Sequence, residues 1–155
     1  MVMDKITLLN EVRYAERLCQ RTARIYRHLQ AGTVFLTVLG GSGVMSALAS
    51  SVPTWLPVVG AALLATFGAL NLAIRPADKA AANEADCKRY AQLRTAGLSM
   101  NETELAQALS KARESDTAEV ESLRDVAYND VVVEMGRADA AVALSPYQRI
   151  LGAFA

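Results

Sequence analysis

The sequence predicts an all-α membrane protein: a transmembrane helical hairpin with long cytosolic juxtamembrane helices and a C-terminal tail of short helices. Two observations lead to that expectation. The 44 residues from Ala31 to Ile74 contain no Asp, Glu, Lys, Arg or His, so all 16 basic and 16 acidic side chains lie outside them. On both sides of that run, apolar residues recur at helical spacing.

Residues 1–30 form the first element. Leu8, Val12, Ala15, Cys19, Thr22, Tyr26 and Leu29 follow one another at spacings of four and three, a coiled-coil-like seam with no Pro or Gly before Gly32. At 100° per residue the opposite arc carries Arg13, Arg17, Arg21, Arg24 and Arg27. One face therefore calls for a partner helix. The basic face is a candidate contact for anionic lipid or a partner protein.

The charge-free run divides into two spans. A bilayer core needs about 20 apolar helical residues; Ala31–Ser50 supplies 20 and Pro57–Ile74 supplies 18. Residues 51–56 are the expected turn, because Pro53 lacks an amide proton and Trp55 favours the membrane interface. A soluble core would have to hide two helices with no polar face. A signal peptide fits Ala47-Leu48-Ala49 but not the charged, helix-patterned segment ahead of the run. Basic residues flank both spans (Arg13 to Arg27 before, Arg75, Lys79, Lys88 and Arg89 after) and none lies in the turn, which places both termini in the cytoplasm.

Within the spans, Ser42, Ser46 and Ser50 form one row at every fourth residue, and Ala61, Ala65, Ala69 and Ala73 form another. Such rows let helices pack closely. The serines, with Asn71, are also the candidates for lining a hydroxyl-rich pathway.

Residues 75–98 form the second juxtamembrane helix, restarted at Pro76. Its weaker apolar face is Ala80, Cys87, Tyr90, Ala91 and Leu98, interrupted by Asn83 and Arg94. Cys19 lies 12 residues before the first span and Cys87 lies 13 after the second. Antiparallel helices thus bring them to a similar depth, about 18–20 Å from the spans. Cys19, Tyr26, Cys87 and Tyr90 are the candidate seam. Both cysteines read as small apolar residues in a reducing compartment, with a redox switch as the alternative.

From residue 95 onward ten acids oppose five bases, a formal charge of −5 against +3 for residues 1–30. Such a tail either docks on the basic face or presents a solvated acidic surface. Capping patterns at Asn101-Glu102-Thr103-Glu104, Asp116-Thr117-Ala118-Glu119 and Ser145-Pro146-Tyr147-Gln148 predict helices over 102–114, 117–135 and 146–154. Val131-Val132-Val133 is read as helix because no second strand candidate exists.

No catalytic constellation is present. Gly40-Gly41-Ser42-Gly43 lacks the Lys-Ser/Thr of a phosphate loop, and His28 sits among arginines at the membrane boundary. There is no CxxC, no HExxH and no nucleophile–base pair. The expectation is a non-enzyme without cofactor or metal. The basic stripe lacks the aromatic interleaving of a nucleic-acid binder.

A long basic helix (Tyr14-Ala15-Glu16-Arg17 through Arg24-Ile25-Tyr26-Arg27), a two-helix membrane segment with a proline-containing turn, and a cytosolic helix bearing Tyr90-Ala91-Gln92-Leu93 resemble the SLATT family over about residues 10–98, and more weakly over the helical tail. The resemblance implies a bacterial two-helix inner-membrane protein that forms pores or disrupts the membrane when triggered, in nucleotide-signal or phage-defence systems. With no sensing domain in this sequence, the sensor would be a separate cytosolic protein. Two helices cannot enclose a path alone, so a pore requires a homo-oligomer. A holin-like or superinfection-exclusion membrane protein of a phage, and a non-conducting scaffold with a recruiting tail, are the alternatives.

Overall fold

The computed structural model describes residues 4–41, 55–117 and 119–155. Every regular element among them is helical, and no strand occurs. The chain is an all-α protein.

The α-helices are α1 (Lys5–Gly41), α2 (Trp55–Ile74), α3 (Pro76–Gly97), α4 (Glu102–Glu114), α5 (Arg124–Glu134) and α6 (Pro146–Phe154), with 3-10 turns at Glu121–Leu123 and Ala138–Ala140. They group into two compact units, one of Met1–Ile25 with Lys79–Ala155 and one of Tyr26–Asp78. Residues 99–155 therefore belong to the same unit as the first 25 residues and are not an appended tail.

In the first unit α1 is buried on two sides. Leu8, Val12, Ala15 and Cys19 pack with Tyr90 of α3 and with Leu105, Leu109 and Ala112 of α4. Leu18 packs separately with Leu123, Val126, Ala127 and Ala155, flanked by Tyr14, Ile25, Leu144 and Leu151. Each fully buried Leu contributes about 1.5–3 kcal/mol relative to exposure, so these two cores together order the segments between α4 and α6 that have little regular structure of their own.

Local chemistry sets the helix limits. Asn101 Oδ1 accepts from the Glu104 amide at 2.9 Å while Glu104 Oε2 accepts from the Asn101 amide at 2.9 Å, a reciprocal cap. Ser145 and Gln148 repeat it ahead of α6, with Pro146 at the first helical position. The Lys5 ammonium donates to the carbonyls of Leu98 and Met100 at 3.0 and 2.7 Å, satisfying acceptors where α3 ends. Leu98 lies past that end and is exposed. At Gly97 a Cβ would come within 2.9 Å of Leu105 Cδ1 and 3.2 Å of Leu9 Cδ2, so α4 turns back tightly only because no side chain is there.

The third expected cap differs. The Asp116 carboxylate is turned to α3, where it accepts from the Tyr90 hydroxyl at 2.6 Å and from Arg89 at 2.8 Å. The helix expected over 117–135 consequently starts later, through the 3-10 turn at Glu121, and its α part is Arg124–Glu134. The valine triplet is helical, with Val131 and Val132 buried and Val133 exposed. Gly136 ends the helix at φ 72°, with Arg137 N–H donating to Val132 O at 2.8 Å and Gly136 N–H to Val133 O at 3.0 Å, the paired bonds of a glycine-terminated helix.

The second unit holds the distal part of α1, then α2. The helix expected to begin at Pro57 begins at Trp55, because a proline in the first helical turn sits where no intrahelical amide bond is required. The expected turn at 51–56 is thus helical at Trp55 and Leu56; its remainder, with Pro53, lies outside the described residues. Hydroxyls fold back onto their own helices: Thr37 donates to Thr33 O and Thr66 to Ala62 O, both at 2.8 Å. Many of its described apolar side chains face outward, with Phe35 62%, Val38 62%, Val58 68% and Leu72 80% exposed. Among the described residues, one helical stretch, Gly60–Gly97, running from α2 across Arg75 into α3, is long and apolar enough to cross a membrane, and only 6% of its apolar window is buried.

Arg75 breaks α2 from α3. Its φ is 51°, a left-handed conformation that costs a non-glycine residue about 1–2 kcal/mol, and Pro76 restarts the helix behind it. Arg75→Gly should remove that cost and raise the thermal midpoint of the purified protein in detergent; Arg75→Val, with a branched Cβ at the same φ, should lower it. Scanning calorimetry of the two variants checks the sign.

Candidate functional site: the helical seam and the arginine face

The spacing of Leu8 to Cys19 on α1 and of Cys87 to Tyr90 on α3 builds a seam in the first unit. Val12, Cys19 and Tyr90 are fully buried, and Cys87 packs at the cluster's edge. Cys19 and Cys87 are both free thiols. Tyr26, the fourth residue expected in this seam, is half-buried and belongs to the second unit. Thr22 and Asn83 are wholly buried; the Asn83 side-chain amide donates to Lys79 O at 2.9 Å. Asn83 therefore lies within the face it was expected to interrupt. Arg94 reaches from that helix to Glu16 of α1, with Nε 2.8 Å from the carboxylate.

Beside the seam lies a polar cluster that sequence spacing did not reveal. Asp86, 4% exposed, pairs with Arg89 at 3.0 Å and accepts from the Thr117 amide at 2.9 Å. Arg89 and Tyr90 both bind Asp116, and the Arg89 guanidinium stands 5.6 Å from the Tyr90 ring centroid. The irregular segment after α4 is thus tied to α3 by three polar contacts. Burial first, and then the Asp116 hydrogen bond, raise the Tyr90 phenol far above its ordinary value, so it remains a proton donor.

The five arginines divide. Arg17 pairs with Glu134 of α5. Arg21 makes a two-pronged bond to Asp130, Nε and Nη2 each 2.8 Å from a carboxylate oxygen, and its Nη1 donates to the carbonyls of Gly152 and Ala155 at 2.8 Å. Arg24 donates to Ala155 O at 2.8 Å. Arg13 and Arg27 are exposed. Three of the arginines expected to meet lipid or a partner are therefore engaged by α5 and α6 of the same chain. A signal for this lay in the sequence: Arg17 and Arg21 are one turn apart, as are Asp130 and Glu134, and the reversed pairing is what antiparallel helices produce.

The remaining candidates lie in the second unit. Ser42, Ser46 and Ser50 fall outside the described residues. Asn71 is half-buried. Thr33, 4% exposed, donates to Gln30 O at 2.8 Å and stands 3.4 Å from Asn71 Oδ1. Thr33 gives no signal in the sequence, because its hydroxyl carries no charge and α-helical threonine commonly bonds its own backbone. Ala61, Ala65, Ala69 and Ala73 are all exposed. Among the described residues no group of His, Cys, Asp and Glu is placed to hold a metal ion.

No family model, curated protein or solved structure matches this chain.

Both thiols are held in the neutral form. Burial above all, with the nearby carboxylates of Asp116, Asp86 and Glu119, pushes Cys19 up to about 12, and burial raises Cys87 as well. A thiol needs its thiolate to react. Folded protein at pH 7 should therefore react with a disulfide reagent far more slowly than denatured protein, Cys87 before Cys19. Because the unfolded thiol titrates near 9.0 and the folded Cys19 near 12, its share of stability is intact below pH 9 and lost as pH rises toward 12. Cys19→Ser should flatten that alkaline loss, measured as denaturant midpoints between pH 8 and 11.

Proposed function

We propose that this chain is an oligomerising inner-membrane effector of the SLATT-like type, which permeabilises or depolarises the membrane in bacterial antiviral defence. The hairpin of residues 31–50 and 57–74 is the membrane part, both ends lie in the cytoplasm, and the first unit is the cytosolic part. The observation that carries this reading is the outward-facing apolar surface of the second unit. A helix from a soluble core would be mostly buried, whereas the Gly60–Gly97 run buries 6% of its apolar window, and soluble monomers rarely expose contiguous apolar patches of that kind. The hydroxyl groups of Thr37 and Thr66 are satisfied within their own helices, as hydrocarbon surroundings demand.

A permeabilising path requires association of copies, because two helices cannot surround an aqueous path. The exposed row Ala61, Ala65, Ala69 and Ala73 is a surface on which helices of neighbouring copies approach closely. Control runs through α1, a single helix from Lys5 to Gly41: a cytosolic event that alters its packing in the first unit is transmitted to the span it becomes. No step of this action is enzymatic, and no cofactor takes part.

The test is dye release from liposomes reconstituted with the purified protein, with the particle mass measured in nanodiscs. Release by an oligomer is the expected result, and inserting Gly-Gly between residues 28 and 31 should uncouple release from the first unit. A stable monomer that leaks nothing contradicts the proposal.

A further inference from the structure

Between α1 and α5, within the first unit, lies a groove of about 410 Å³, a volume in the range of small-molecule sites. Each wall is one face of one helix. Asn10, Glu11 and Tyr14 come from α1; Tyr128 and Val132 come from α5, Met135 is the residue that caps its end, and Arg137 and Ala140 close the groove. The groove belongs to neither the seam nor the arginine face, and nothing in the proposed membrane function uses it.

Its chemistry is specific. Val132 and Met135 supply an apolar floor, and Tyr14 and Tyr128 supply two aromatic rings with hydroxyl donors. Burial raises the Tyr14 phenol above its ordinary value, so that hydroxyl keeps its proton. The acid in the lining, Glu11, is matched by Arg113 at 2.5 Å. Arg137 is different: its contact with Asp139 is 4.0 Å long and its side chain is 66% exposed. Its guanidinium is available to an anion at the groove's rim.

The rim is also built in advance. Gly136 at φ 72° turns the chain, and the Arg137 amide is held to Val132 O at 2.8 Å. At the other end of the same loop, Asn129 binds Val142 twice, donating to its carbonyl and accepting from its amide at 2.8 Å each. The loop that carries Arg137 and Ala140 is thus pinned to α5 at both ends, and little ordering is left for a ligand to impose.

We propose that this groove binds a small aromatic carboxylate, the ring lying on Val132 and Met135 between the two tyrosines and the carboxylate on Arg137. Aromatic faces and a methionine favour a planar ring, and a weakly matched guanidinium favours a carboxylate, which it meets with two parallel bonds. The inference stands whether or not the chain permeabilises membranes.

The test uses the full chain in nanodiscs with ¹³C-labelled methionine methyls, titrated with indole-3-acetate and, separately, with its neutral counterpart indole-3-acetamide. Met135 lies in the groove, while Met100 packs in the other core and serves as internal reference. The Met135 signal should shift saturably with the acid while Met100 stays fixed, and the amide should bind about tenfold more weakly, as loss of one charge-assisted contact implies. Arg137→Gln should weaken the acid by a similar factor, and Ala140→Trp, which fills the groove from its exposed side, should abolish the shift. An unmoved Met135, equal movement of Met100, or equal binding of acid and amide overturns the proposal.

Discussion

Everything else in the first unit depends on α1 being buried on two sides at once. Leu8, Val12, Ala15 and Cys19 face one core and Leu18 faces another, so one helix is the shared wall of two clusters. A surface helix offers a single apolar stripe and leaves the rest to water. Here the second side is covered by α5 and α6, and the side chains between the two apolar strips are arginines. α5 and α6 cover Arg21 in part and leave Arg17 and Arg24 nearer the surface. Each of Arg17, Arg21 and Arg24 is met by a carboxylate or a carbonyl; for Arg21, the most buried of the three, losing that partner would be the costliest.

Charge pairs join α1 and α3 to the C-terminal third, and α1 to α3, in both senses. Asp130 and Glu134 answer Arg21 and Arg17, Asp116 answers Arg89, and Glu11 and Glu16 answer Arg113 and Arg94. The chain has no net charge, and its charge separation along the sequence becomes charge pairing in the fold. Pairs such as Arg21 with Asp130, about a quarter exposed on each side, contribute more to choosing the register of α5 on α1 than to raw stability. Exposed pairs such as Arg75 with Asp78 contribute little of either.

How much of this was legible depends on range. The seam residues Leu8 to Thr22, the restart at Pro76, and the caps at Asn101 and Ser145 are local patterns, and all are where spacing and capping chemistry put them. The Asp116 pattern looks the same in sequence as the other two caps. It fails because Tyr90 and Arg89, 26 and 27 residues away, offer the partly buried carboxylate better bonds than a helix terminus does. The second burial of α1 was illegible for a similar reason: Leu18 falls off the heptad seam, and only α5 and α6, more than 100 residues later, give it somewhere to go. The groove with Arg137 depends on a left-handed glycine and on Asn129 clamping Val142, neither of which has a spacing signature.

In the second unit the constraint is solvent. Its helices hold their polar groups internally and turn Phe35, Val38, Val58 and Leu72 outward, an arrangement that water penalises and hydrocarbon does not. The most direct test is electron paramagnetic resonance accessibility of nitroxide labels placed singly at Val34, Val38, Val58 and Leu72 in nanodiscs, on a chain whose two native cysteines are replaced by alanine. Labels in lipid should be relaxed strongly by oxygen and hardly at all by a water-soluble nickel chelate. Strong relaxation by the nickel chelate at these positions would place these helices in water and contradict the account.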